Sequence, residues 1–261
     1  MRADVYITER GYAKSRTMAR KLIESGAVVI DGKKVSKASE EISNGEHCVS
    51  ISEIDEMRYV SRGGLKLEAA LDEFSVCVEG AVALDVGAST GGFTDCLLKH
   101  GAKLVFAVDS GVGQLHPDLL ADDRVVSLEK TNARTLTRDI LSENAASAPS
   151  DFDGRVDVAV MDVSFISQTV IIPALADIVK SGGYLVSLIK PQFEVGKSAV
   201  GKGGIVKDIK ARQAAVENVK KSMELCGFYT VGIIDSPIEG GDGNREYIGC
   251  FVRGDRPDGI N

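Results

Sequence analysis

Residues 82–98 read VALDVGASTGGFTDCLL: a short apolar run breaks into glycines, and apolar residues then resume at helical spacing. That succession predicts a strand, a tight turn and a helix. Ala81 to Val86 reads as a buried parallel strand, and Gly87 to Gly92 as a turn that lets the backbone approach a ligand closely. Phe93 onward reads as a helix with Leu97 and Leu98 turned inward. In open α/β sheets the binding crevice lies beyond the carboxyl ends of the strands, so a ligand is expected at this turn.

The spacing narrows the choice of ligand. A dinucleotide-binding G-x-G-x-x-G would need glycine where Ser89 stands; Gly87, Ser89 and Gly92 hold its three places. Asp85 would repel a pyrophosphate and suits a cationic ligand with an amine, so S-adenosylmethionine, a sulfonium with an amino-acid end, fits better than a nicotinamide dinucleotide. The next apolar run, Leu104–Val108, ends in Asp109, where an acid can accept both hydroxyls of a ribose. The plain alternative is a structural glycine turn with solvated acids.

Working outward, Val125–Leu128, Val156–Met161 and Tyr184–Ile189 read as further strands. Helices are expected over Gln168–Val179, with Pro173 early in it or kinking it, and over Ile209–Cys226, with Ala214, Val219 and Met223 inward. Phe228–Ile234 and Tyr247–Val252 are separated by a glycine-rich turn alone and are expected to pair antiparallel. Upstream, Glu68–Phe74 is a predicted helix with Leu67, Ala70, Leu71 and Phe74 inward and Lys66 at its start. Asn132 follows the third strand at the same sheet edge, where it can meet an adenine or simply make a turn. A glycine- and lysine-rich segment with Lys197, Lys202 and Lys207 is expected to be a loop near the site. The fold class is therefore α/β: a Rossmann-like seven-stranded sheet, mostly parallel with one antiparallel strand.

The N-terminus has a different character. Residues 1–37 carry nine Lys and Arg against four acids, a net +5 in a chain whose total is −7, an asymmetry that points to a basic nucleic-acid-binding module. Two short helices, one ended by Gly11 and one capped by Ser15, precede a Val28–Ile30 strand and an Asp31-Gly32 hairpin turn. The inward face of the second helix would be Met18, Ala19, Leu22 and Ile23.

The five cysteines are scattered and form no C-x-x-C pair, and there are three histidines, so neither a disulfide framework nor a metal site is indicated. No apolar run approaches the roughly 18 residues that cross a bilayer. The first residues are charged where a signal peptide is apolar, so a cytoplasmic protein is expected.

Taken together, the pattern R-x-D, SR, A-x-x-L-I-x-x-G-x-V-x-I-D-G-x-x-V resembles the S4 RNA-binding domain, which implies phosphate contacts from Arg16, Arg20, Lys21, Lys33 and Lys34; Arg2, Arg10 and Lys14 complete the basic residues expected to bind RNA. Lys66, Asp162, Lys190 and Glu246, within SRGGLKL, MDVSFIS, LIKPQFE and GNREY, look like the K-D-K-E tetrad of the RrmJ/FtsJ-like 2′-O-ribose methyltransferases. With the S4-like domain, nearly the whole chain is similar to the TlyA (hemolysin A) family of ribosomal RNA methyltransferases. The resemblance implies S-adenosylmethionine as donor, a cytidine ribose of ribosomal RNA within ribosomal subunits as acceptor, Lys190 as base or 2′-oxygen contact, Asp162 and Glu246 orienting the lysines, and Lys66 completing the array. The candidate cofactor residues are Asp85, Gly87, Ser89, Gly91, Gly92, Phe93, Asp109, Asn132 and Asp162. Expected boundaries are an S4-like domain at 1–52, a linker at 53–60, a methyltransferase domain at 61–254 and a tail at 255–261. The rival is a non-catalytic RNA-binding or ribosome-assembly factor on the same fold. A membrane-active role, suggested by the hemolysin name, lacks a spanning segment.

Overall fold

The computed structural model describes residues 1–52, 58–147, 150–196, 199–238, 240 and 243–254. The chain divides into two compact units, Met1–Arg58 and Tyr59–Asn261. The core of the expected linker, 53–57, the expected tail, 255–261, and Lys197 lie outside the described residues.

In the first unit, helices α1 (Ala3–Glu9) and α2 (Arg16–Glu24) pack on a small sheet. Strand β1 (Val28–Ile30) lies between β2 (Lys33–Lys34) and β3 (Val49–Ile51), antiparallel to both. Ser15 Oγ accepts from Met18 N and caps α2, whose Ala19, Leu22 and Ile23 are buried. Asp31 and Gly32 both take positive φ, 49° and 74°, the backbone that a two-residue hairpin requires.

The second unit is built on one sheet of seven strands: β4 (Val82–Val86), β5 (Leu104–Val108), β6 (Val125–Leu128), β7 (Val156–Met161), β8 (Val179–Ile189), β9 (Phe228–Asp235) and β10 (Tyr247–Arg253). Its order is β6-β5-β4-β7-β8-β10-β9, with β10 antiparallel to both neighbours and the remaining pairs parallel. The chain runs outward from β4 through β5 to β6 and then crosses to β7 on the other side. The strand order therefore reverses at β4, and the crevice opens at its carboxyl end.

Alternation along the strands feeds two apolar layers. Ala83, Val105, Val158 and Val186 face α3 (Gly63–Glu73) and α4 (Gly92–Lys99). Leu84, Phe106, Met161 and Leu185 face α7 (Ile172–Ile178) and α9 (Ile209–Leu225), with Leu141 of α6 (Arg138–Glu143) in the same layer. Two short helices, α5 (Pro117–Leu120) and α8 (Pro191–Glu194), sit in the loops after β5 and β8.

Several elements depart from the sequence expectations. Helix α3 begins five residues before Glu68, taking in Gly63 and Gly64. The stretch expected as one helix from Gln168 divides into a 3₁₀ turn at Gln168–Val170 and α7, with Pro173 in the first turn of the latter, where its missing N–H leaves no bond unmade. Strand β8 starts at Val179 rather than Tyr184, its register slipping between the Val156–Val179 and Val158–Tyr184 pairs. On α9, Ala215 rather than Ala214 turns inward, in step with Val219 and Met223 at four-residue intervals.

Candidate functional site

Five segments bring polar groups to the carboxyl edge of the sheet. After β4 the chain turns at Gly87, whose φ is +84° and whose added Cβ would lie 2.5 Å from the Asp162 carbonyl oxygen. Only glycine fits there, and it lets the β4 and β7 turns close on each other. Ser89 N donates to Asp109 Oδ2 at 2.8 Å and Gly111 N donates to Asp109 Oδ1 at 2.7 Å, so one carboxylate ties the glycine turn to the loop after β5. Asp162 and Lys190 terminate β7 and β8. Glu246 precedes β10, and because β10 is antiparallel its start lies at this same edge, with Tyr247 opposite Ile189.

Two ion pairs stand at the crevice. Lys66 Nζ donates to Glu246 Oε2 at 2.6 Å, both side chains buried. Lys190 Nζ lies 2.6 Å from Asp162 Oδ1 and donates to Ser164 Oγ at 2.8 Å. Lys66, Asp162 and Lys190 line a cavity of about 330 Å³ together with Ser61, Arg62 and Phe93. A second cavity of about 400 Å³, lined by Asp109, Gln114, Thr131, Asn132, Val163 and Ile171, shares Gly87, Ser89, Asp162 and Ser164 with the first. The two volumes are in the range of small-molecule sites.

Of the cofactor candidates, Gly87, Ser89, Gly92, Phe93, Asp109, Asn132 and Asp162 line one or both cavities. Asn132 also serves as a cap, its Oδ1 accepting from Arg134 N at 3.1 Å. Asp85 and Gly91 line neither cavity. Odd positions of β4 face the α3–α4 layer, so the Asp85 carboxylate is fully buried under the turn, where Oδ2 accepts from Thr94 Oγ1 at 2.7 Å and Oδ1 has no hydrogen-bonding partner among the described residues. A direct grip of Asp85 on a ligand amine is therefore not the arrangement seen. Burial, reinforced by the charges of Asp162 and Asp109, pushes its carboxyl up to about 7. Gly91, with φ +93°, makes room for Leu119 of α5.

Among the lining residues that sequence reasoning did not single out are Gln114, Thr131, Ser61 and Ser164. Ser164 had a signal in its place two residues beyond Asp162. Gln114 and Thr131 sit in irregular segments that carry no periodicity.

The eight RNA-contact candidates of the first unit are all exposed. Arg2, Arg16 and Arg20 converge on Asp4, which is wholly buried: Arg2 Nε donates to Oδ1 at 2.9 Å, and Arg16 and Arg20 donate to Oδ2 at 2.9 and 3.2 Å. These guanidiniums hold the Asp4 carboxyl well below the usual range. Arg10 lies over the Tyr6 ring and donates to the Gly45 carbonyl. Lys34 reaches across Gly26, where an added Cβ would meet its Nζ.

Residues 59–253 match the FtsJ-like methyltransferase family and residues 1–48 the S4 domain. The chain is 43% identical to the 16S/23S rRNA (cytidine-2′-O)-methyltransferase TlyA of Mycobacterium tuberculosis over 95% of its length and 88% of that protein's. It is 42% identical to Hemolysin A of Brachyspira hyodysenteriae over 97% of its length and all of that protein's. Among solved structures, a Streptococcus thermophilus protein bearing a hemolysin name superposes with a TM-score of 0.72 at 40% identity, covering 98% of this chain and 90% of that one. No helix among the described residues is long and apolar enough to cross a membrane.

Proposed function

Since this chain belongs to the TlyA-like FtsJ-like methyltransferases with an N-terminal S4 domain, we propose that it methylates the 2′-oxygen of a cytidine ribose in ribosomal RNA, with S-adenosylmethionine as donor and Lys190 as base. The observation that carries this reading is the pair of lysine–carboxylate contacts at the crevice beside the glycine turn.

The residues present suit the donor. The close backbone approach at Gly87, the Asp109 carboxylate and the apolar Val163 and Ile171 offer, in one cavity, a place for an adenosine and its ribose hydroxyls. When bound, S-adenosylmethionine supplies an electrophilic methyl whose bond to sulfur breaks with its electron pair left on sulfur.

A ribose hydroxyl is a weak nucleophile, so the protein's task is to take its proton as the new bond forms. The lone pair of neutral Lys190 accepts that proton, and the oxygen's own pair forms the bond to the methyl carbon. Lys190 leaves the step as an ammonium, stabilised by the Asp162 carboxylate at 2.6 Å. Lys66, neutralised by Glu246, provides a second donor on the cavity wall to hold the ribose. Asp162 and Glu246 orient one lysine each. The exposed arginines and lysines of the first unit supply phosphate contacts that hold the RNA, and ribosomal subunits as substrate place the reaction in the cytoplasm.

The test is transfer of labelled methyl from S-adenosylmethionine to intact 30S and 50S subunits by the wild type and Lys190→Ala. Label at a ribose, seen as resistance of the adjoining linkage to alkali, and its loss in Lys190→Ala with cofactor affinity kept within a few-fold, is the expected result. No label on either subunit despite cofactor binding would move the assignment to a non-catalytic RNA-binding factor.

A further inference from the structure

The Lys190 ammonium contacts Asp162 Oδ1 at 2.6 Å and Ser164 Oγ at 2.8 Å, and Ser164 lines both cavities. Resting on the methyl-transfer reading above, we infer that Ser164 is a positioning residue that, with Asp162, aims the lone pair of neutral Lys190 at the ribose hydroxyl.

The argument is one of counting positions on a tetrahedral nitrogen. One position is the bond to Cε. The Asp162 carboxylate, 2.6 Å away in an ion pair but without an aligned hydrogen bond through Oδ1, fixes no N–H by itself. Ser164 Oγ supplies the aligned acceptor: with one N–H on Ser164 and the Asp162 charge repelling a lone pair turned toward it, the lone pair takes the remaining position, toward the cavity that Lys190 lines.

Ser164 can do this because its loop is tied to the turn that carries Lys190. Glu194, in α8 just beyond Lys190, accepts from Ser167 Oγ at 2.6 Å and from Gln168 N at 2.9 Å. Gln168 is buried and accepts in turn from Ser187 of β8. Next to Ser164, Phe165 adopts φ +65°, a left-handed backbone uncommon for a bulky residue.

The test compares wild type, Ser164→Ala and Ser164→Thr in steady-state methyl transfer across pH. Ser164→Ala is expected to lower plateau kcat on the order of tenfold, as misaimed catalytic groups do, with affinities for S-adenosylmethionine and RNA unchanged. The acid limb of kcat/KM should move to lower pH, because the ammonium loses an acceptor. Ser164→Thr keeps the hydroxyl and should restore both. Wild-type kcat and an unmoved limb in Ser164→Ala would overturn the inference, as would equal losses in the Ala and Thr variants. A wild type that transfers no methyl overturns the functional reading instead. The contact is then read by ¹⁵N NMR titration of Lys190 Nζ, where identical titrations in wild type and Ser164→Ala overturn the inference.

Discussion

Asp85 sits where packing and chemistry make opposite demands on one side chain. Its place on β4 turns it into the layer under α4, where Thr94 satisfies one oxygen and none of the described residues satisfies the other. A buried carboxylate with one free oxygen is costly when ionised, and its proton is held up to about 7 against an ordinary 3.8. Across that interval the folded chain binds more protons at this site than the unfolded chain, so the group favours folding below pH 4 and this contribution is lost as pH rises to about 7. Asp85→Asn keeps an oxygen for Thr94 and removes the titration. Its unfolding temperature, followed from pH 4 to 8, should fall less than that of the wild type; parallel curves would show that Asp85 is ionised throughout. The residue type and its position before the glycines were legible in sequence. Its burial was not, because a strand ending in a glycine turn does not announce how closely the following helix closes over it.

At the scale of elements, α3 presents a contest whose sign can be worked out. Gly64 lies inside the helix, where alanine is favoured over glycine by about 1 kcal/mol. An added Cβ, however, would lie 2.2 Å from Cγ of the buried Tyr59 ring, and overpacking of that kind costs about 1–3 kcal/mol. Tyr59 OH is also held by Glu68 of the same helix, so the ring has no easy retreat. Gly64→Ala is therefore expected to lower the unfolding temperature, and to reduce kcat as well because Lys66 rides on the displaced helix. A gain in stability would show that the ring yields. The same glycine explains why the start of α3 was misplaced in sequence: two adjacent glycines read as a breaker by local propensity, whereas here they permit close approach of another segment. Where period and length were unambiguous, as in β4, β5 and α9, elements emerged close to their observed bounds. Where a proline or a bulge intervened, as at Pro173 and the start of β8, local pattern could not say which way the chain would resolve it.

The whole molecule separates charge from chemistry along its length. The net +5 of residues 1–37 was visible as composition, and the tetrad as four motif residues far apart in the chain. What sequence could not supply was the pairing, Lys66 with Glu246 and Lys190 with Asp162, which depends on β10 running antiparallel and so returning Glu246 to the edge where Lys190 ends β8. The division predicts separable defects. Lys21 and Lys33 are exposed in the first unit and, on the functional reading, neutralise phosphates. Removing one such phosphate partner should reduce the slope of log affinity against log salt by about 0.7–0.9, so the double variant Lys21→Ala/Lys33→Ala should show a slope smaller by about 1.5. It should also raise KM for ribosomal subunits while leaving affinity for S-adenosylmethionine unchanged. Lys190→Ala should do the reverse, losing turnover at an unaltered salt slope. Filter binding of labelled subunits over a salt series, with cofactor titration of both variants, checks the two halves together. An unchanged slope in the double lysine variant would mean that these two side chains meet no phosphate, and would move the RNA footprint to the arginines gathered around Asp4.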